Sequence, residues 1–466
     1  MVRRMFFHPA QWSARCWLRL ILLGALAARL GFLALFGGTL SLQTSGYDVY
    51  AVNVMRGHGY TRFVDRHADA DLPPLYVFTL VAIYSIVGRS AINVALVQIG
   101  FDLLTIFLIY QIGRRAFPAR GPTPALFGAA FTAFYPYMLF QDLSVNDTAI
   151  FVLLLAAGVW GAYRAEAAFH TGTGPSRAAL GWAAFAGLTF GLAALTKTVV
   201  LLLIPLLAWW WLRRVGRRRA APAALLVCTV TGLVMLPWIV RNSRLFGELV
   251  LTSTNDGSNL HQGNNSCAAD YLANGWDVQW VNCYPPMPTG LGELEQSRWH
   301  REQAIRWLLE HPGQWLRHFG QKFLTLWNPQ ITPFSVPPPE FVDETGAFVD
   351  DAVMIYETPS FQAARTVHFA TYTPLLILGL AGWALAARHQ QGIGPLLAVL
   401  TAITAAYLIF HPSTRYRMPA DPFLFLLSGY AVAWSLERLR RGAAAPSPIS
   451  DGVRKGEGDT GRAADG

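Results

Sequence analysis

Hydrophobic positions in this chain form long unbroken runs, at residues 17–37, 74–88, 90–112, 122–141, 147–164, 178–196, 198–212, 220–240, 366–387, 392–411 and 420–437. A hydrocarbon layer about 30 Å thick takes about 20 apolar residues of helix, because backbone in lipid must satisfy its own hydrogen bonds. The runs therefore predict membrane-spanning helices. Two longer polar regions, 38–89 and 241–365, separate them, and residues 440–466 carry no apolar period, which predicts a disordered tail. Within the second polar region, EQAIRWLLEHPGQWLRHFGQKFLTLW predicts two amphipathic helices broken at Pro312, with Trp315, Phe319, Phe323 and Trp327 at helical spacing. That stripe suits packing on its own domain or on the membrane surface.

The arginines fix how many runs cross. Eleven crossings would put Arg114, Arg115 and Arg120 outside, against the positive-inside bias. The run 74–88 is short, follows Pro73-Pro74 and ends next to Arg89. Laid flat as an interfacial helix on the outer face, it leaves ten spans. Arg164, Arg177, Arg213, Arg214, Arg217–Arg219, Arg388, Arg438, Arg440 and Arg441 then fall inside together with the first cluster. The first run stays as an uncleaved span: its apolar core is long, holds Arg29 and lacks a small-x-small cleavage site.

The expected fold is an all-α polytopic membrane protein with about ten transmembrane helices and both termini inside. It has an outer interfacial helix after the first loop and a small mixed extracytoplasmic domain. Residues 1–240 form the transmembrane core, including the outer loop 38–89. Residues 241–365 form the extracytoplasmic domain, 366–439 the C-terminal transmembrane helices and 440–466 the cytoplasmic tail. The expected location is the cell inner or plasma membrane.

Composition agrees. Of 466 residues 53% are hydrophobic and 14% charged, well below the charge of an ordinary soluble domain. The net charge of +9, from 37 Lys and Arg against 28 Asp and Glu, is absorbed by the inner loops, so no nucleic-acid partner is expected. Four cysteines without CxxC or Cys/His spacing give no zinc motif. Cys16 and Cys228 lie in spans as packing residues. Cys267 and Cys283 lie outside, where an oxidising compartment permits either a bridge, worth about 3 kcal/mol, or two thiols.

Ionisable groups within a bilayer need a partner or a task. Arg29 and Asp102 each lie about 15–18 Å from the inner face at 1.5 Å per residue, which predicts an ion pair between neighbouring helices. The other unusual polar residues gather at the outer ends of the spans. The first outer loop carries Asp48, Tyr50, Asn53, His58, Asp65, His67, Asp69 and Asp71. Asp142, Asn146 and Asp147 lie in the turn between the third and fourth spans, and Lys197 in the turn after the fifth. Arg241 and Asn242 follow the seventh span, and Arg415, Tyr416 and Arg417 precede the tenth. Acids and bases in one water-accessible layer beside lipid suit a reaction on a substrate with its tail in the membrane and its head outside. A lipid phosphate needs Arg or Lys partners, and Lys197, Arg241, Arg415 and Arg417 are the candidates, although such side chains at helix ends also snorkel to the interface unaided.

At these residues the chain resembles the polyprenyl-phosphate-sugar-dependent glycosyltransferases of the GT-C superfold. The nearest type is family 39, related to protein O-mannosyltransferases and to the lipid A aminoarabinose transferase. The likeness is carried in order by YDVYAVNVMRGHGY, DLPPLYVFTLVAIYSIVG, GLAALTK, LPWIVRNSRLFGELVLTSTNDGSNLHQGNN and RYRMP. The resemblance implies an inverting transfer from a polyprenyl-phosphate-linked sugar to a lipid, glycan or protein acceptor at the outer face, among membrane lipids. It makes Asp48 the general base. Many relatives have Asp-Glu here, whereas Val49 follows Asp48, so a second carboxylate comes from elsewhere, with Asp147 and Asp142 as candidates. No cofactor is certain; a divalent metal is possible, with His58 and His67 as potential ligands. Tyr50, His58, Asp147, Asn242, Asn264, Asn265 and Tyr416 are further substrate-binding candidates, and Asn264 and Asn265 equally suit turn chemistry. Rival readings are a transporter or lipid flippase, which would place polar groups at mid-depth on several helices, and an envelope scaffold.

Overall fold

Every predicted span is helical in the computed structural model, which describes residues 13–42, 46–64, 68–169, 176–273, 277–278, 285–331 and 359–443. In chain order the helices are α1 (Ala14–Phe36), α2 (Tyr47–Met55), α3 (Pro74–Val87), α4 (Ala91–Ala116), α5 (Thr123–Phe134), α6 (Pro136–Leu143), α7 (Thr148–Ala168), α8 (Arg177–Ala194), α9 (Leu203–Val215) and α10 (Arg217–Phe246). There follow α11 (Asp256–Gly263), α12 (Ser266–Ala273), α13 (Glu293–Glu310), α14 (Trp315–Leu326), α15 (Pro359–Arg388), α16 (Gly394–Ile409), α17 (Thr414–Arg417) and α18 (Asp421–Ala443). No strand occurs among the described residues. The protein is an integral membrane protein: α1, α4, α7, α8, α10, residues 198–215 and most of α15 are seven helices long and apolar enough to cross.

The run 74–88 becomes α3, whose 14 residues span about 21 Å at 1.5 Å per residue, too short for a bilayer core. Pro73 and Pro74 start it, since a missing N–H is harmless in the first turn. Tyr76, Val77 and Leu80 pack against Tyr47 and Tyr50 of α2, while Ile86 stays exposed. The third predicted span is broken into α5 and α6, with extended Tyr135 before Pro136. A proline inside a helix removes one hydrogen bond and clashes with the preceding turn.

The buried pair predicted from sequence is present and larger. Arg29 of α1 is fully buried and close-paired through Nη2 with Asp102 of α4; the same guanidinium donates to Asp142 of α6 from Nε (3.3 Å) and Nη2 (3.2 Å). Its Nη1 donates to the Ala133 carbonyl at 2.8 Å, close to the break between α5 and α6.

After α10 the described residues form α11 to α14 joined by irregular segments, with the predicted break at Pro312. Of the two placements open to the α14 stripe, its own domain or the membrane surface, the exposure of its aromatics favours the second. His318, Lys322 and Thr325 are buried, whereas Trp315, Leu316, Phe323 and Leu324 are exposed. Polar residues face inward because the end of α16 needs donors. The Lys322 Nζ donates to the carbonyls of Leu408 (3.0 Å) and Phe410 (2.8 Å) and to Asn264 Oδ1 (2.8 Å). The last carbonyls of a helix have no intrahelical partner, and a cation there also opposes the helix dipole. Gly263 is required beside this junction, since a Cβ would lie 1.9 Å from the Phe410 carbonyl oxygen. The exposed face of α14 then suits the membrane interface. Cys267 is disulfide-bonded, Cys16 and Cys228 are free, and Cys283 lies outside the described residues.

His318 gives this junction a pH dependence. Burial, then the Lys322 charge, lower its pKa from 6.5 to about 4, although Nε2 bonds the Gly263 carbonyl at 2.8 Å. Between those pH values the unfolded chain binds the proton and the folded chain does not, so stability rises with pH and is fully present above about 6.5. Thermal unfolding of the purified protein is expected to shift to lower temperature as pH falls from 6.5 towards 4. In His318→Gln, which keeps a donor but does not titrate, the slope is shallower. An unchanged slope would remove His318 from this role.

Candidate active site

The first-loop aspartate is presented by a short helix with an unusual start. Gly46, at φ +75°, turns the chain into α2 in a conformation that a Cβ disfavours, and Asp48 sits in the first helical turn. Its carboxylate is buried, but one partner reaches it from water. Half-exposed Arg89 donates from Nη2 to Oδ2 at 2.6 Å and from Nε to Oδ1 at 2.9 Å; Tyr84 donates to Oδ1 at 2.8 Å. Both partners come from the end of α3 and the link to α4, so the interfacial helix delivers the groups that hold the carboxylate. The bond to Asp48 raises the Arg89 pKa, keeping it charged.

Tyr47 points about 100° round the helix from its neighbour and reaches a second carboxylate. Its hydroxyl donates to Asp147 Oδ2 at 3.1 Å. Lys197 Nζ lies 2.7 Å from both oxygens of Asp147, and Arg415 Nη2 lies 3.5 Å from Oδ1. The turns before α7, after α8 and at α17 thus meet the first loop. Gln98 braces the first of these turns by donating to the carbonyls of Asp142 (2.8 Å) and Ser144 (2.9 Å) while accepting from Tyr76 (2.7 Å). Burial would push the Asp147 pKa up, but Lys197 and Arg415 outweigh it and hold the carboxyl below its usual range. Burial pushes the Lys197 ammonium down in spite of Asp147. Two cations on one carboxylate leave a positive charge in a largely dry site, ready for an anion.

Of the four predicted phosphate ligands, Lys197 and Arg415 join this cluster and two do not. Arg241 donates to the carbonyls of Asp69 (2.6 Å) and Tyr60 (3.2 Å) and lies over Trp238 and Tyr60, fastening the first loop to α10. Arg417 is fully buried. It pairs with Asp421 (3.2 Å), donates to the carbonyl of Asn328 (2.8 Å) and stacks on Tyr372 (3.8 Å), which occupies its guanidinium with protein groups.

The remaining candidates divide similarly. Tyr416 stacks on Tyr407 at 4.7 Å, anchoring the turn that carries Arg415. Tyr50 donates to Asp69 at 2.5 Å, and Asn242 to the Thr252 carbonyl at 3.3 Å. Asn264 supports the Lys322 junction, and Asn265 Oδ1 accepts from the Ala268 N–H at 2.8 Å as a helix cap for α12; turn chemistry is what their side chains do here. His58 is exposed, and His67 lies outside the described residues. Among the described residues, no three His, Cys, Asp or Glu side chains gather as a metal site. Sequence reasoning missed Arg89, Tyr84 and Tyr47. Arg89 did carry a signal, being an arginine on the predicted outer side against the charge bias.

With this geometry in hand the chain can be compared with known proteins. Solved structures of the oligosaccharyltransferase of Archaeoglobus fulgidus share the architecture. One, AglB in complex with an inhibitory peptide and a dolichol-phosphate, has a TM-score of 0.53 at 14% identity over 94% of this chain. The apo form gives 0.51 at 15% identity over 93%. The fold is the GT-C fold. This chain spans about half of each matched structure, 53% in both cases. Residues 71–240 match the family model described as dolichyl-phosphate-mannose-protein mannosyltransferase. That stretch of the GT-C core includes Arg89, Asp147 and Lys197 but stops short of Asp48, Arg241 and Arg415. No curated protein sequence matches the chain.

Proposed function

We propose that this protein is an integral membrane glycosyltransferase that moves a sugar from a polyprenyl-phosphate donor to an acceptor at the outer face, with inversion. The observation that carries the reading is the pair of carboxylates set by successive residues of one helix. Asp48 faces a displaceable arginine, and Asp147, through Tyr47, sits between two cations. The family match over 71–240 and the GT-C fold support it. The mid-depth charges Arg29, Asp102 and Asp142 close on one another, so they give a transport path no support.

The chemistry divides between the two clusters. Asp48 takes the proton from the acceptor hydroxyl or amine as that atom attacks the anomeric carbon. The bond from that carbon to the phosphate oxygen breaks on the opposite side, giving inversion and a polyprenyl phosphate. Lys197 and Arg415 stabilise the charge that grows on the departing phosphate, and such preorganised donors are typically worth a few kcal/mol. Arg89, half in solvent, is the group an acceptor displaces on reaching Asp48. The active site faces the extracytoplasmic side of the plasma or inner membrane in this reading; the outward placement follows from the basic loops lying inside.

Lys197→Gln is expected to lower kcat/KM for a radiolabelled polyprenyl-phosphate sugar by about 100-fold, with a raised KM for the donor. Unchanged donor kinetics in this variant would remove Lys197 from the phosphate site. Failure to turn over any lipid-linked sugar by the wild-type protein, together with movement of the lipid across liposomes, would overturn the enzymatic reading.

A further inference from the structure

At the opposite end of the spans lies a cavity of about 1310 Å³, above the usual range for small-molecule sites. Its distance from the candidate active site follows from α4. Arg89 precedes that helix and Arg114 and Arg115 lie in its last turn, about 38 Å apart at 1.5 Å per residue. Six arginines line the cavity: Arg15 and Arg19 of α1, Arg114 and Arg115 of α4, Arg164 of α7 and Arg214 of α9. The one lining carboxylate, Glu166, lies 3.4 Å from Arg214. Arg15, Arg19, Arg114 and Arg164 have no ion pair with a carboxylate among the described residues, and Arg115 shares the charge of Glu166, which Arg214 already holds.

The positive-inside bias explains arginines at these helix ends, but not their convergence from four helices on a cavity with a single acid. Two of the side chains are also held. Arg164 lies 4.2 Å over the Trp182 ring and 5.2 Å over Trp160, and Arg114 Nη1 donates to the Tyr110 hydroxyl at 3.3 Å. Guanidinium groups match phosphate oxygens in a bidentate fork. The cavity wall also changes character with depth. Leu22, two turns into α1 from Arg15, and Phe107, two turns into α4 from Arg114, are apolar lining residues. A cationic rim above an apolar wall is the shape of an amphiphile, and a free phosphate would leave the apolar wall unused.

We propose that this cavity binds the phosphomonoester headgroup of a membrane lipid, with the lipid chain lying along Leu22 and Phe107. The site is separate from the outer one and does not depend on the transfer reaction. Native mass spectrometry of the full-length protein in detergent, titrated with phosphatidic acid or phosphatidylcholine, tests it. Phosphatidic acid is expected to bind at least about tenfold more tightly than phosphatidylcholine. In Arg114→Gln with Arg115→Gln, both exposed positions, phosphatidic acid weakens at least about tenfold and phosphatidylcholine is unchanged. Arg19→Gln, on a different helix, weakens it in the same direction, so the result does not rest on one folded variant. Arg438→Gln with Arg440→Gln removes the same charge from α18, away from the cavity, and leaves binding unchanged. Equal losses in the two double variants would mean diffuse attraction and overturn the site. So would equal binding of the two lipids, and full displacement of phosphatidic acid by inorganic phosphate would make the ligand a soluble phosphate instead.

Discussion

Asp48→Asn is expected to lower sugar transfer by about two to four powers of ten, the usual contribution of a positioned general base, while the protein remains folded. The structure explains why the two effects separate. An asparagine can still accept from Tyr84 at the position of Oδ1, where that bond is 2.8 Å. Arg89, whose side chain is 50% exposed, returns to water when its ion pair is lost, so no buried charge is stranded. What the amide cannot do is take a proton. The loss should therefore appear in kcat, with the KM for the lipid donor near the wild-type value, because Lys197 and Arg415 are untouched. Initial rates with a radiolabelled polyprenyl-phosphate sugar, at equal amounts of protein verified by size-exclusion chromatography, make the comparison. Near-normal turnover would overturn the role of Asp48. A pure rise in donor KM would move it from the acceptor side to the phosphate side.

How much of this could be read from the chain depends on which kind of order each feature reflects. Span positions follow from uninterrupted apolar length, which acts locally, and each predicted span is helical, the third being broken into α5 and α6 at Pro136. The flat α3 followed from a charge argument that spans the whole molecule, since one extra crossing would invert every later loop. The Arg29 and Asp102 pair was legible because lipid leaves a buried charge few alternatives. Asp142 was missed as its third member because its place depends on the break at Pro136, which swings α6 back toward α1. The site residues were harder for a related reason. Lys197, Arg241, Arg415 and Arg417 look alike in sequence, each a cation at the end of a span. Only the packing around them separates Arg417, buried against Asp421 and Tyr372, from Arg415, which meets Asp147. The sequence left the α14 stripe open between its own domain and the membrane surface, because the carbonyls at the end of α16 that draw Lys322 inward lie 86 and 88 residues later.

Arg29→Leu is expected to deplete the protein from the membrane fraction, and the reason is the count of charges around it. One guanidinium serves two carboxylates, with the close pair to Asp102 and contacts of 3.2 and 3.3 Å to Asp142, all at 0–1% exposure. Removing one partner of a buried ion pair typically costs about 3–5 kcal/mol because the other charge is left unpaired; here two carboxylates are left. Asp102→Asn behaves differently. Arg29 then keeps Asp142, one positive charge against one negative, and the loss of stability is smaller. Restoring Arg29→Leu requires neutralising both acids, so Arg29→Leu with Asp102→Asn and Asp142→Asn should recover much of the lost protein, while Arg29→Leu with Asp102→Asn alone recovers less. The recovery stays incomplete because Arg29 also donates to the Ala133 carbonyl at 2.8 Å, a bond leucine cannot make. Immunoblots of the membrane fraction and thermal unfolding in detergent report the order of the variants. A triple variant no better than Arg29→Leu would show that the guanidinium is needed for its backbone bond rather than for the two acids.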